Sequence, residues 1–405
     1  MEFSLYVHIP FCRQKCDYCD FFSIPLKSCL PLPSKEGYVS AVLNEIRFYA
    51  ARYSVLRWKT VYIGGGTPSQ LGDELLCRLI SGIKAAVPDK KIDEFTVEVN
   101  PEDVTESLLS SLEKAGADRI SVGIQALDQI ALEKINRHCP VQTALDALNL
   151  LKENWHKRLS VDFIAGLPGQ SKDSFEEQFN AVFAFENIGH ISLYTLTVEE
   201  NTPLYRNIKS KKIRWSSRKA DSLWLSGREL LTKKVFLQYE VSNFARKGEE
   251  SLHNKVYWHL ENYIGCGSGA CGSVFYGFDS QKLSERWTNT RSIKEYQDFW
   301  LSFKDFSKGE LEISEKLREV EKIDLQTQEF EWLMMGFRLL EGVSPEVFRE
   351  RFGKSLEKRI GAENGIFSQW CGKGLGCVYM DGGKKRYALT EKGIMLLNPF
   401  LESLL

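Results

Sequence analysis

The sequence predicts an α/β fold: a parallel sheet built from six βα units, followed by a small helical, winged-helix-like module at the C-terminal end. Three observations lead there. Strand-like apolar runs alternate with amphipathic stretches through residues 1–200, the pattern of repeated βα units. Three cysteines crowd into one short loop after the first run. Beyond residue 304 the texture changes to charged and helical segments that end in a hairpin.

The six strand candidates are 5–9, 60–63, 95–99, 120–124, 159–164 and 191–196. Between the third and fourth, Leu108, Leu109, Leu112 and Ala115 recur at helical spacing, with Gly116 in the stop position and Asp103 or Thr105 available as a cap. Units of this kind join parallel strands through right-handed crossovers. The pattern leaves open whether the sheet stays flat or curls into a barrel. Either way, functional residues belong at the carboxyl ends of the strands.

In the tail, the charged stretch 304–322 reads as a helical connector. Phe330, Leu333, Met334, Phe337 and Leu340 then keep helical spacing, and a second helical segment follows Pro345. Residues 378–389 read as a hairpin around Gly382 and Gly383, with a last helix from Glu391 onward. The expected divisions are 1–240, 241–303 and 304–405. There is no fixed-period repeat and no low-complexity tract.

Bulk composition narrows the function. With 53 basic and 54 acidic residues the net charge is −1, which speaks against a nucleic-acid binder working through global electrostatics. Only Lys384-Lys385-Arg386 points to nucleic acid, and basic turns are commonly just solvated. No apolar run reaches the length of a membrane span. The start, Met1-Glu2-Phe3-Ser4-Leu5, lacks the basic residues of a secretion signal, so the expected location is the cytoplasm. Ten cysteines in 405 residues are too few for a disulfide scaffold, and Cys29, Cys77, Cys139, Cys371 and Cys377 read as ordinary reduced thiols.

Cys12, Cys16 and Cys19 are different. They form a C-x3-C-x2-C pattern just after the first strand. Three thiolates from one tight loop can hold three corners of a four-iron, four-sulphur cluster, leaving the fourth iron open to a small chelating molecule. The alternative is a structural zinc site with His8 as fourth ligand, although zinc sites usually separate their ligand pairs in sequence.

The remaining motifs fall at strand ends. Gly64-Gly65-Gly66-Thr67-Pro68 closes the second strand, where glycines let backbone approach a ligand and donate N–H groups. Glu98 ends the third strand and Gln125 the fourth. Arg137 follows twelve residues after Gln125, and Asp162 lies in the fifth strand. A carboxylate suits a ribose or an ammonium group, and a guanidinium suits a carboxylate. Each alone reads equally well as a turn, a satisfied core group or a solvated side chain. Their shared location at consecutive strand ends is what points to a ligand.

The cysteine loop resembles the radical S-adenosylmethionine (SAM) superfamily. That resemblance implies a partial (β/α)6 TIM-like barrel, a [4Fe-4S] cluster, and SAM bound through its amino and carboxylate groups to the open iron. It also implies reductive cleavage of SAM to a 5′-deoxyadenosyl radical. Residues 6–168 further resemble the oxygen-independent coproporphyrinogen III oxidase group, and residues 330–405 resemble its C-terminal domain. On that resemblance Tyr6, Gly65, Gly66, Thr67, Glu98, Gln125, Arg137 and Asp162 fall on SAM-binding positions, with Tyr18 beside the cofactor.

Two features steer the resemblance toward the HemW haem chaperone branch. The oxidases carry a further cysteine where this chain has Phe21. His253-Asn254-Lys255-Val256-Tyr257-Trp258 matches that branch's H-N-x-x-Y-W motif, whose histidine is implicated in haem binding. A histidine nitrogen can ligate haem iron, and Tyr257 and Trp258 offer flat faces to a porphyrin. Without the resemblance, the same segment reads as core aromatics beside a loop histidine. The branch continues into Gly-Ala-His-Ser, whereas this chain has Gly269-Ala270-Cys271-Gly272, so Cys271 stands as a substitute ligand or as packing. The expectation is a cluster- and SAM-binding haem chaperone serving haem proteins, including membrane cytochromes, and needing an electron donor. The competing expectation is oxidative decarboxylation of coproporphyrinogen III.

Overall fold

A computed structural model describes residues 1–26, 34–280, 282–303, 313 and 316–405. Cys29 and most of the expected connector lie outside the described residues.

All six expected strands are present, five of them slightly longer than expected and the sixth starting and ending one residue earlier. The first, β1 (Glu2–Ile9), leads into a two-residue ladder of β2 (Phe11–Cys12) with β3 (Ile24–Pro25), which closes the base of the cysteine loop. Then come β4 (Arg57–Gly65), β5 (Glu94–Val99), β6 (Arg119–Gln125), β7 (Arg158–Ala165) and β8 (His190–Thr195). Neighbours in the order β1-β4-β5-β6-β7-β8 pair in parallel. Strands buried on both faces need near-continuous apolar sequence, which is why the sequence shows them so clearly.

The sheet extends beyond these six at both sides. On one, β9 (Leu237–Gln238) and β10 (Asn243–Ala245) add antiparallel to β8. On the other, β11 (Tyr263–Cys266) pairs in parallel with β1, followed by antiparallel β12 (Cys271–Val274), β13 (Ser284–Asn289) and β14 (Arg318–Ile323). The twelve-stranded sheet has β14 and β9 at its edges, so it does not close. It is nevertheless curled. Six parallel strands about 4.8 Å apart would spread over about 24 Å if flat. Yet Tyr6 of β1, Glu98 of β5, Asp162 of β7 and Tyr194 of β8 line a single cavity.

The helix at Glu106–Ala115 confirms the expected punctuation. Thr105 caps it by accepting from Leu108 N, and Gly116 ends it with φ +96°. One expectation is corrected. The end of the stretch read as a helical connector, Arg318–Ile323, is a strand. Its charges are satisfied across the sheet rather than along a helix: Lys322 pairs with Glu285 at 2.6 Å and Glu321 with Arg286 at 3.1 Å.

The tail builds its own core from Trp332, Leu333, Phe337, Phe348, Phe367, Tyr387 and Phe400. Helix Leu325–Gly336 carries Phe330, Leu333 and Met334 of the expected spacing but ends before Phe337, its cap, and Leu340. Pro345–Phe352 is the second expected helix, and β15 (Gly376–Asp381) with β16 (Lys384–Leu389) is the expected hairpin. The last helix starts later than Glu391, at Leu397, after a short 3-10 turn.

Candidate functional site

The carboxyl ends of the parallel strands open into a cavity of about 790 Å³. Its lining includes Cys12, Cys16, Cys19, Tyr6, Tyr18, Gly65, Gly66, Thr67, Glu98, Gln125, Arg137 and Asp162. Residues spread over more than 150 positions of sequence thus face one space.

The cysteine loop is held in place by its neighbours. Ile24 N donates to Pro10 O and Leu26 N to Cys12 O, at 2.7 and 2.9 Å. Across the cavity rim, Asp17 N donates to Ile135 O at 2.9 Å, Gln14 Nε2 to Asn136 O at 2.8 Å, and Asn136 Nδ2 to Asp17 Oδ1 at 3.2 Å. Asn136 adopts φ +55° to make this turn. Burial pushes all three thiols above the ordinary range, Cys19 to about 11. Thr67 Oγ1 donates to Cys12 Sγ at 3.6 Å, and Arg137 Nη1 lies 3.9 Å from Cys16 Sγ.

His8 does not join them. Its Nε2 donates to Phe22 O at 2.8 Å, which leaves Nδ1 to accept from Tyr6 OH at 2.9 Å. Burial keeps the ring neutral, with its pKa lowered to about 4. The zinc alternative therefore lacks its fourth ligand. Among the described residues no three His, Cys, Asp or Glu side chains converge tightly enough for a single metal ion. A cubane asks for something else: three thiolates, each on a separate iron, spaced around a shared volume.

The glycine motif departs from expectation. Its N–H groups are not free for a ligand: Gly65 N donates to Glu98 Oε2 at 3.1 Å, Gly66 N to Ile9 O at 2.8 Å and Thr67 N to Phe11 O at 2.8 Å. Close approach is required by the protein itself. A Cβ on Gly66 would stand 2.9 Å from Ile9 O and Phe11 O. The motif clamps the start of the cysteine loop.

Three polar groups face the cavity, Arg137 buried and Glu98 and Asp162 half-buried. Glu98 accepts from Tyr62 OH at 2.7 Å, and burial raises its pKa to about 7. Asp162 accepts from Ser121 Oγ at 3.1 Å and is also pushed up by burial. Arg137 donates through Nη2 to Gly123 O at 2.5 Å and lies 3.4 Å from Asn100 Oδ1. Burial works against its charge, but Cys16 and Tyr18, when ionised, outweigh that and push its pKa up; a guanidinium stays protonated throughout. Its Nε is buried without a partner. Gln125 sits at φ +68° where the β6–β7 register shifts, a strained conformation for a residue with a side chain. Three thiols, a protonated guanidinium with a spare donor and two carboxyls in one cavity fit an anionic cluster with an amino-acid-like ligand.

The four haem candidates divide. Tyr257 and Cys271 line the same cavity as the cysteine loop; His253 and Trp258 do not. His253 is fully buried in the barrel floor, stacked on Tyr62 at 5.2 Å, with Nδ1 2.8 Å from Thr60 Oγ1 and Nε2 2.9 Å from Tyr257 OH. Both nitrogens are spent, so this structure offers no imidazole to an iron. Trp258 packs beside Tyr239, Ala245 and Leu339, with the Arg338 guanidinium 5.4 Å over its ring. The helix Leu252–Trp258 is pinned by buried Glu94, which accepts from the N–H groups of Leu252 and His253 at 3.0 Å each. Motif spacing cannot show which end of a barrel a helix plugs.

Sequence reasoning missed Tyr62, Asn100, Tyr194, Tyr263 and Arg291. Asn100 follows Glu98 at a strand end and was findable; it donates to Thr67 Oγ1 at 3.2 Å and meets Arg137. Tyr263 lies in β11, and Arg291 follows β13 within the same late extension, whose short strands carry no clear period.

Comparison with known proteins identifies the family. Residues 6–182 match the Radical SAM superfamily. The Heme chaperone HemW of Escherichia coli strain K12 is 32% identical over 98% of this chain and 97% of that protein. The Heme chaperone HemW of Bacillus subtilis strain 168 is 30% identical over 98% and 97%. Radical S-adenosyl methionine domain-containing protein 1, mitochondrial, of Danio rerio is 30% identical over 100% and 87%. Among solved structures, the coproporphyrinogen III oxidase HemN of Escherichia coli, described as a radical SAM enzyme, superposes with a TM-score of 0.76. It covers 100% of this chain and 90% of that one at 18% identity, a likeness of fold.

Proposed function

Because the chain belongs to the HemW family of the radical SAM superfamily, we propose that it is a haem chaperone that binds haem and passes it to haem proteins. The observation that carries this reading is the extent of the similarity. It runs over 98% of the chain, through the late sheet extension and the C-terminal module as well as the barrel. Membership implies a [4Fe-4S] cluster and SAM. Cys12, Cys16 and Cys19 would hold the cluster, and it supplies electrons to SAM when bound.

The chain's own residues do the rest. Thr67 and Arg137 donate toward Cys12 and Cys16 and steady their negative charge. The spare Arg137 Nε and the Gln125 side chain are offered to a SAM carboxylate, while Glu98 and Asp162 are offered to its amino and ribose groups. Tyr6 and Tyr18 wall the space. Haem is the cargo, taken at the facing wall by Tyr257 or Cys271. The acceptors are haem proteins, membrane cytochromes among them, met from the cytoplasm. Among the described residues no helix is long and apolar enough to cross a membrane. Reduction of the cluster needs an electron donor.

Haem titration of anaerobically reconstituted protein, followed at the Soret band, tests the reading. Saturable one-to-one binding supports it, and absence of binding overturns it. The second reading, oxidative decarboxylation of coproporphyrinogen III, is favoured only by the shared fold. Phe21 stands where that activity's extra cysteine is expected, and it is 69% exposed beside the loop. Anaerobic product formation from coproporphyrinogen III would reinstate the oxidase.

A further inference from the structure

The barrel floor contains a hydrogen-bonded line that neither the cysteine loop nor the strand-end carboxyls use. It begins at Tyr257, which borders the cavity, and its hydroxyl lies 2.9 Å from His253 Nε2. His253 Nδ1 lies 2.8 Å from Thr60 Oγ1, and Thr60 Oγ1 donates to Ser4 Oγ at 2.8 Å. Since the Thr60 proton goes to Ser4, its oxygen accepts from Nδ1–H, leaving Nε2 to accept from Tyr257. Every donor therefore points one way, from the cavity toward Ser4. Ser4 borders a second cavity of about 380 Å³, with Lys59 and Glu261 at its edge. His253 and Thr60 are 0% exposed and Ser4 is 1% exposed, so the line runs through buried protein between two cavities.

Resting on the haem-binding reading, we infer that Tyr257, and not His253, is the residue of this motif that ligates the haem iron, as a phenolate, with His253 acting through it as a positioning residue. Tyrosinate is an established ligand for haem iron, and the phenol must lose its proton to serve. The line supplies a route for that proton. The Tyr257 O–H bond breaks as the O–Fe bond forms, and the proton moves to His253 Nε2. The Nδ1 proton passes to Thr60, the Thr60 proton to Ser4, and the Ser4 proton to water in the second cavity. No electron is transferred, and the iron stays ferric.

The surroundings suit the role. The ring of Tyr263 meets Tyr257 edge-on at 4.8 Å and 85°, fixing its orientation. Lys15 and Arg291 border the same cavity and match the two propionates of a haem. Cys271 is the other donor there, but its exposed Sγ lies 3.2 Å from a threonine hydroxyl, Thr288 Oγ1, and not against a buried imidazole relay.

The test is ferric haem titrated into the anaerobically reconstituted full chain, read by electron paramagnetic resonance and by the phenolate-to-iron charge-transfer band. Wild type is expected to show high-spin phenolate ligation. Tyr257→Phe is expected to lose that band and to weaken binding about tenfold or more. Cys271→Ala keeps the band, and His253→Gln keeps binding but shifts the band. Survival of the wild-type band in Tyr257→Phe overturns the inference. So does a thiolate spectrum lost in Cys271→Ala, or an imidazole spectrum lost in His253→Gln; all three leave the chaperone reading standing. No haem binding by wild type overturns both. Should Tyr257→Phe lose its cluster or fold, an unshifted band in His253→Gln is the overturning result.

Discussion

The imidazole of His8 occupies the space that a side chain on Gly65 would need: a Cβ there would lie 2.5 Å from His8 Cε1 and Nδ1. Gly65 also adopts φ +113°. Strand β4 therefore presses directly against the histidine that ties Tyr6 to the far end of the cysteine loop through Phe22 O.

Gly65→Ala is expected to cost about 1–3 kcal/mol from the backbone conformation alone, with the displacement of His8 added. The readouts are urea denaturation and iron content after reconstitution. Both should fall together. Wild-type iron content in a destabilised variant would show that the loop does not depend on this contact.

Arg137→Met keeps the length of the side chain and removes its donors. Gly123 O and Asn100 Oδ1 lose a partner, and Cys16 loses its nearby positive charge. The expected outcome is a loss of about 1–3 kcal/mol in stability and faster release of iron and sulphide under chelator. Stability loss with unchanged chelator kinetics would remove Arg137 from the cluster's support.

His253→Ala is expected to lower stability by about 2–5 kcal/mol, whatever haem does. The ring is fully buried, and its removal takes the acceptor from Tyr257 OH and one of the two partners from Thr60 Oγ1, while opening a hole beside Tyr62. Thermal melting of the cluster-free protein measures this. A melting temperature within a degree of wild type would contradict the buried position.

Glu98 makes the apo-protein pH-sensitive. Burial raises its folded pKa to about 7 from an ordinary 4.5. Between these values the folded state holds a proton that the unfolded state has released. Its contribution is therefore full below about pH 4.5 and lost as pH rises through about 7, with a ceiling on the order of 3 kcal/mol. Glu45 and Glu240, raised to about 7 by the same cause, act in the same direction. Melting temperatures of the apo-protein should fall from pH 5 to pH 8, less steeply in Glu98→Gln. Parallel curves for variant and wild type would place the titration elsewhere.

Much of this was legible before any coordinates. The six parallel strands show because they are largely buried on both faces and so carry apolar runs, as at 61–63 or 163–165. Thr105 and Gly116 mark helix ends by chemistry that acts within four residues. The strands β11 to β13 were hidden because they are four to six residues long and mix Gly, Ser and Cys with single apolar positions. Their pairing with β1 and with each other makes them strands.

By itself, the sequence determined the cysteine spacing, the order of βα units and the placing of Glu98, Gln125 and Asp162 at or near strand ends, since each depends on residues close together in the chain. Only the tertiary structure decided which of the motif's side chains reach the cavity. Curling the sheet brings Tyr257 and Cys271 to the wall facing the cysteine loop and turns His253 into the barrel floor, where Thr60 and Tyr257 use both of its nitrogens. That outcome depends on the packing of the Leu252–Trp258 helix against Glu94, 159 residues from His253 in sequence, a contact that no local pattern encodes.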